Sequence, residues 1–157
     1  MRNRGFTVAE LITVVAIVGI LATIALPVLT FGIRRQKEVE LHERLRKITE
    51  AVDRYHELRA LVPPNGMKNP ESMDQHGWPK DLEELTKPIE LANGKTLAPL
   101  LRERDLIDPM TGDKKWRILS DTDEPDATGI GTPTNVFDVH SSSTALALDG
   151  KTHYNEW

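Results

Sequence analysis

Several features that would point to catalysis or to a disulfide scaffold are missing from this chain of 157 residues. It contains no cysteine, so no disulfide holds it together in any compartment. It has no phosphate-binding loop and no G-x-S-x-G nucleophile motif, and its five histidines form no compact metal-ligand set. With a formal net charge of −4 and no basic face, nucleic-acid binding is not expected. The chain is therefore not predicted to be an enzyme.

The apolar residues are concentrated at the front of the chain. From Leu11 to Phe31 no charged side chain occurs. About 20 apolar residues cross a hydrocarbon core of about 30 Å, so this run predicts one membrane-spanning helix. The run is longer than the apolar region of a secretory signal peptide and no A-x-A-like cleavage site follows it, so we expect the span to stay in the mature chain. Cations flank the run on both sides, so charge counting does not decide its orientation.

The residues after the span predict that the helix continues outside the membrane. Apolar residues recur at steps of three or four and form one helical stripe, made of Leu41, Leu45, Ile48, Val52, Tyr55 and Val62. Three acid-before-base pairs four residues apart support the exposed face, namely Glu40 with Arg44, Glu43 with Lys47 and Glu50 with Arg54. The predicted helix runs from about Phe6 to Leu61 and is ended by Pro63 and Pro64. Pro27 and Gly32 lie near its middle, where we expect a kink or local unwinding.

The second half of the chain reads as short elements joined by turns. Residues 78–88, with Pro79 at the first position, and residues 97–107 each predict a short helix. Three strands are predicted at Lys115–Ser120, Asn135–His140 and Lys151–Trp157. A small antiparallel sheet packed on the amphipathic half of the long helix would bury its stripe. The predicted fold class is therefore α+β, with one long N-terminal helix and a small C-terminal sheet.

The opening segment "RGFTVAEL", followed at once by the apolar run, resembles the processing motif of the type IV pilin superfamily. The glycine, the aromatic residue, the acid and the apolar run all occur in register. The resemblance implies that prepilin peptidase cleaves between Gly5 and Phe6 and that the new amino group of Phe6 is methylated. It divides the chain into a leader (1–5), a membrane and filament-core helix (6–33) and a periplasmic globular domain (34–157), anchored in a bacterial inner membrane by one pass through the lipid bilayer.

Glu10 is the one acid beside the apolar run. A carboxylate at membrane depth is costly and normally has a partner. The resemblance implies that this partner is the α-amino group of Phe6 in a neighbouring copy, so that Glu10 sets subunit register during assembly. The other interpretation is that Glu10 lies close enough to the interface to stay hydrated.

The rest of the chain resembles the major pseudopilin of type II secretion. "LIDPMTGDKKWRILS" is similar to its Asp-Pro segment, turn and strand, and "VFDVHSSSTALALDGKTHYNEW" is similar to its closing region. The implied function is a structural subunit that polymerises into a periplasmic filament and helps export folded proteins. The implied partners are other copies of the chain, minor pseudopilins, prepilin peptidase and the inner-membrane assembly platform. Two alternatives are a type IV pilin of a surface pilus and a membrane-tethered enzyme or binding module.

Major pseudopilins of this kind commonly bind calcium near the C-terminal end, and this chain departs from that pattern. The stretch before the final tryptophan is poor in carboxylates, whereas calcium takes six to eight oxygen ligands. We therefore expect no cofactor, with Asp138 and Asp149 the candidate ligands if calcium is bound.

Overall fold

The computed structural model describes residues 7–61, 66–68, 76–124 and 133–157. Its single long helix, α1, spans Val8–Ala60. Four short strands follow, with bounds β1 Ile89–Glu90, β2 Thr96–Leu97, β3 Trp116–Leu119 and β4 Asp138–Ser141. Three 3₁₀ helices span Leu82–Thr86, Glu103–Leu106 and Tyr154–Glu156. The chain falls into two compact units, Met1–Gln36 and Lys37–Trp157. The predicted α+β layout is confirmed.

The predicted long helix is confirmed over its described residues, from Val8 to Ala60. It is helical without interruption through Pro27 and Gly32, so α1 shows no local unwinding at these residues. A bend at these positions stays a prediction. Val62, the last residue of the predicted stripe, and Pro63 and Pro64 lie outside the described residues.

The apolar stripe of α1 forms one side of the core of the second unit. Leu41, Ile48, Val52 and Tyr55 are each at most 1 % exposed, and Leu45 packs against them with part of its surface exposed. The facing side chains come from every later element and include Leu85, Leu106, Val136, Val139 and Tyr154. The stripe also contains Ala51 and Leu58, which the prediction omits.

Two of the three predicted helical ion pairs are present. Glu40 lies 3.0 Å from Arg44, and Glu43 lies 2.7 Å from Lys47. The third prediction is wrong, because Arg54 pairs with Glu57 at 2.8 Å and Glu50 pairs with Arg46 at 3.8 Å. Arg54 has Glu50 four residues before it and Glu57 three residues after it, both within reach on a helix, and side-chain geometry decides between them.

The two predicted short helices are shorter than expected and are 3₁₀ in type. The first begins at Leu82 and leaves out Pro79, because the Pro79 carbonyl accepts the Val136 N–H at 2.8 Å. The second is reduced to Glu103–Leu106, since Leu97 belongs to β2 and the Leu101 N–H donates to the Leu85 carbonyl at 2.9 Å. Tertiary hydrogen bonds at both sites replace the first helical turn.

The strands form two separate antiparallel pairs. In the second pair Trp116 faces Ser141 and Leu119 faces Asp138, which confirms the first predicted strand and shifts the next one toward Ser141. In the first pair β1 and β2 are joined by a turn containing Asn93 and Gly94, with a φ of 79° at Gly94. Asn-Gly is a strong hairpin signal that the predictions above do not use.

The predicted third strand, Lys151–Trp157, is wrong. Three of its backbone N–H groups donate to carboxylates close in sequence. Asp149 Oδ1 accepts the N–H of Lys151 at 2.8 Å and that of Thr152 at 3.0 Å. The His153 N–H donates to Glu156 Oε2 at 3.0 Å and starts the last 3₁₀ helix. One isolated bridge, Leu146 with His153, remains of strand pairing.

Candidate membrane and assembly segment

The start of α1 is capped by a reciprocal set of hydrogen bonds between Thr7 and Glu10. The Glu10 N–H donates to Thr7 Oγ1 at 3.3 Å, and the Thr7 N–H donates to Glu10 Oε2 at 3.4 Å. The Thr7 hydroxyl donates to the same carboxylate oxygen at 3.5 Å. This capping box places the carboxylate at the positive end of the helix dipole, where an anion is stabilised. The predictions above omit it, although Thr-x-x-Glu before an apolar run is its usual sequence signal.

The apolar side chains that follow have no cover within the unit. All large apolar residues from Val8 to Ile33 are more than half exposed, with values from 51 % at Val14 to 77 % at Val8. Apolar surface of this extent is unfavourable in water. By length and composition α1 can cross a membrane. This surface therefore fits a lipid environment or the same segment of other copies.

The polar groups inside the apolar run are satisfied by the helix itself. The hydroxyls of Thr13, Thr23 and Thr30 donate to main-chain carbonyls three or four residues earlier, at 2.8, 2.7 and 2.9 Å. Lipid offers no hydrogen-bonding partner, so internal satisfaction removes the penalty that a free hydroxyl would carry there. The threonines are thus compatible with a membrane-spanning segment.

Two glycines in this part of α1 leave the helix surface open. A Cβ added at Gly19 or Gly32 would meet nothing within 4 Å. No contact inside the unit therefore requires glycine at these two positions. Small residues on membrane helices let a second helix approach closely.

Residues 1–26 match a protein family described as "Prokaryotic N-terminal methylation motif". The chain carries a prepilin-type methylation motif. The long apolar helix behind the motif fits the pilin superfamily, whose members are structural subunits. Comparisons with curated proteins and with solved structures found no match.

Of the residues predicted for processing, assembly and the helix kink, three lie among the described residues. Gly5 and Phe6, the predicted cleavage pair of the methylation motif, lie outside the described residues. Glu10 lies in the first turn of α1 and is exposed, like the rest of the segment. Pro27 and Gly32 both lie within α1. The roles of these residues stay predictions.

Both candidate calcium ligands are engaged by protein donors. Asp138 lies 3.4 Å from His140 Nε2 and accepts the Val139 N–H at 2.8 Å, and these contacts lower the pKa of Asp138 against the opposing effect of burial. The oxygens of Asp149 accept bonds from the loop that follows it, including the Thr152 hydroxyl at 2.7 Å. Within the residues that the structure describes, no group of three or more histidine or acidic side chains could hold a metal ion. Calcium binding stays a prediction.

A buried carboxylate in the Asp-Pro segment connects it to β4. Asp108 and Ser141 are both completely buried, and the Ser141 hydroxyl donates to Asp108 Oδ2 at 2.7 Å. The other carboxylate oxygen accepts the Met110 N–H at 2.7 Å. Both carboxylate oxygens have partners, which is the condition under which such a buried group is tolerated.

The C-terminal segment, residues 148–157, contacts the part of α1 that lies in the second unit. Glu38 Oε1 accepts both the Leu148 N–H at 2.7 Å and the Tyr154 hydroxyl at 2.9 Å. The Trp157 ring stacks on His42 with 4.2 Å between ring centroids. These contacts join residues more than a hundred positions apart, and they fix the segment without a disulfide.

Proposed function

We propose that this chain is the major subunit of a type II secretion pseudopilus, a periplasmic filament that helps drive folded proteins across the outer membrane. The observation that carries the proposal is the methylation motif at residues 1–26, in register with an apolar helix that has no cover of its own. The motif supports a structural pilin-like subunit, and the finer assignment to secretion is our inference.

The first step of the proposed function is processing. We propose that prepilin peptidase removes residues 1–5 by cleaving between Gly5 and Phe6, and that the new amino group of Phe6 is methylated. The globular unit would then lie on the periplasmic side of the inner membrane, held by the apolar part of α1.

The second step is assembly through Glu10. In the single copy its carboxylate accepts the Thr7 N–H at 3.4 Å and the Thr7 hydroxyl at 3.5 Å, within the capping box of its own helix. These contacts are long for hydrogen bonds to a charged group, which are usually about 2.7–2.9 Å, so they leave the charge incompletely compensated. The α-amino group of Phe6 in a neighbouring copy would supply an opposite charge in an environment that screens it little. Pairing would set the register between successive copies.

The third step is formation of the filament core. The exposed apolar helices would pack together when subunits leave the bilayer, and the open surfaces at Gly19 and Gly32 would permit close approach. Energy for extraction must come from the assembly platform, since the sequence has no phosphate-binding loop.

The absence of cysteine favours secretion over a surface pilus, because type IVa major pilins usually close their C-terminal region with a disulfide. In this chain Glu38, Tyr154 and the stacked Trp157 hold that region instead. The similarity of the Asp-Pro segment and of the tail to the major pseudopilin points the same way.

Deletion of the gene in the host tests the assignment. We expect the deletion to abolish export of folded enzymes into the medium and to leave surface filaments and twitching motility unchanged. Complementation with the intact gene should restore export. Normal export together with the loss of surface filaments would instead identify a pilin.

A further inference from the structure

Two exposed arginines, Arg34 and Arg35, directly follow the apolar part of α1. In the first unit, over its described residues 7–36, Glu10 is the only acid. At 1.5 Å of rise per residue, Glu10 lies about 36 Å from Arg34 along the helix. Glu38 follows Arg34 by four residues in the sequence, but its Oε1 accepts the Leu148 N–H and the Tyr154 hydroxyl. Neither guanidinium therefore has a carboxylate partner within the described part of the first unit.

The position of the two arginines along the helix matches the depth of lipid phosphates. The apolar run from Leu11 to Phe31 has a length of about 30 Å, equal to the hydrocarbon thickness of a bilayer. Arg34 lies about 4.5 Å beyond Phe31 along the axis. The headgroup region adds about 5–8 Å on each side of the hydrocarbon core. Both side chains therefore emerge at the level of the phosphates, and their long apolar stems allow further adjustment.

The chemistry of the two side chains selects the ligand. A guanidinium group always carries its charge and can bind two phosphate oxygens at once. Successive residues on a helix point about 100° apart, so the pair can contact two different headgroups. An anionic phospholipid offers the phosphate with no competing cation of its own, unlike a zwitterionic one.

We propose that Arg34 and Arg35 form a phospholipid headgroup site that binds the phosphates of anionic lipids. The inference rests on the membrane-spanning part of the proposed function, and it adds a ligand to the membrane-resident subunit. The competing occupant is an acidic side chain of a second copy.

The test uses the full chain as a monomer in detergent micelles. Native mass spectrometry would compare the retention of phosphatidylglycerol with that of phosphatidylcholine. We expect the intact chain to prefer phosphatidylglycerol. Arg34→Gln/Arg35→Gln should reduce this preference by roughly 10- to 30-fold, since each cation at an anionic surface contributes about fivefold. Arg34→Lys/Arg35→Lys should keep part of it. Arg102→Gln/Arg104→Gln removes the same charge from two exposed arginines of the second unit, and it should leave the preference unchanged.

Three outcomes would overturn the proposal. The first is an unchanged preference in Arg34→Gln/Arg35→Gln, and the second is an equal loss in the Arg102/Arg104 control, which would show an effect of net charge alone. The third is a monomer without preference whose crosslinking to other copies fails in Arg34→Gln/Arg35→Gln, which would identify a second copy as the occupant. The measurement requires neither cleavage nor polymerisation, so its failure is distinguishable from failure of the proposed filament function.

Discussion

At the scale of single residues, Glu10 has two different uses. In the single copy it caps its own helix through Thr7, and in the proposed filament it pairs with the amino group of a neighbour. Capping requires the Thr7 hydroxyl as well as the Glu10 carboxylate, whereas pairing with the amino group of a neighbour does not require the Thr7 hydroxyl. The two uses can therefore be separated by substitution.

Glu10→Ala should leave membrane insertion and cleavage largely intact, because removing a charge makes the segment cheaper to insert. Assembly should fail, and the protein should accumulate as a membrane monomer, with partial rescue by Glu10→Asp. The chain has no cysteine, so one introduced at an exposed position such as Ile20 reports contacts between copies by crosslinking.

Thr7→Val serves as the matched comparison, because it removes the capping hydroxyl and keeps the acid. We expect it to crosslink nearly normally. Equal failure of Thr7→Val and Glu10→Ala would show that the acid acts as a helix cap. Normal crosslinking of Glu10→Ala would remove the charge pair from the account.

The buried pair of Asp108 and Ser141 makes a separate prediction about stability. Asp108→Ala leaves the Ser141 hydroxyl and the Met110 N–H without their partner, which should cost about 2–3 kcal/mol of unfolding free energy. Thermal unfolding followed by circular dichroism would measure it. Asp149→Ala, at an exposed loop, should cost less. An equal loss of unfolding free energy in Asp108→Ala and Asp149→Ala would show that burial of the Asp108 carboxylate adds nothing to the cost of removing it.

The lowered pKa of Asp138 predicts that the stability of the folded protein depends on pH. The contact with His140, followed by the Val139 N–H, holds the pKa of Asp138 below its ordinary value, and burial opposes this. A carboxyl with a lowered folded pKa stabilises the protein above its unfolded pKa of about 3.9, and the contribution is lost as pH falls through the folded value. The melting-temperature difference between the intact chain and Asp138→Asn should be present at pH 6 and disappear in stronger acid. Because the Asp138 side chain is 48 % exposed, added salt should reduce this melting-temperature difference. A difference that grows in acid would contradict the sign.

At the scale of elements, the two parts of α1 differ in where their apolar residues lie and in what covers them. Before Gln36 the apolar residues surround the helix and are exposed, and after Lys37 they form a stripe that the strands and 3₁₀ helices cover. One continuous element thus combines a segment that requires lipid or other copies with a segment that organises a core.

Ile48→Asp tests the second segment. Ile48 is completely buried, so an unpaired carboxylate there should cost at least about 3 kcal/mol and lower the melting temperature by roughly 10 °C or more. Leu45→Asp should cost less, because Leu45 is only partly buried. Val39→Asp is the control on the same helix, since Val39 is 63 % exposed. An unchanged melting temperature in Ile48→Asp would show that the stripe does not face the core.

The helix and its stripe were predictable because their signals are local and periodic. Leu41, Ile48, Val52 and Tyr55 repeat at helical spacing, so burial follows from pattern alone. The last predicted strand failed because Asp149 and Glu156 accept backbone N–H groups within the segment and favour a turn and a 3₁₀ helix there, in competition with an extended conformation. The residue types of Lys151–Trp157 carry no information about that competition. Thr7 was available in sequence as a capping signal for Glu10, whereas the partners of Glu38 lie more than a hundred residues away and required the fold.

At the scale of the whole molecule, the chain combines an apolar segment that carries a methylation motif and can cross a membrane with a globular unit that contains no disulfide. The methylation motif predicts how the chain is cut, and the uncovered apolar helix predicts what it does once cut. The core of Lys37–Trp157 is built from its own residues, so assembly is not needed to complete it.

The central claim, a pilin-type subunit assembled after processing, is tested most directly by the intact mass of protein extracted from host membranes. The account predicts a chain that has lost residues 1–5, begins at Phe6 and carries one added methyl group. A host lacking the prepilin peptidase should yield the full-length chain as the control. A mature chain that still begins at Met1, in a host that possesses the peptidase, would contradict the account.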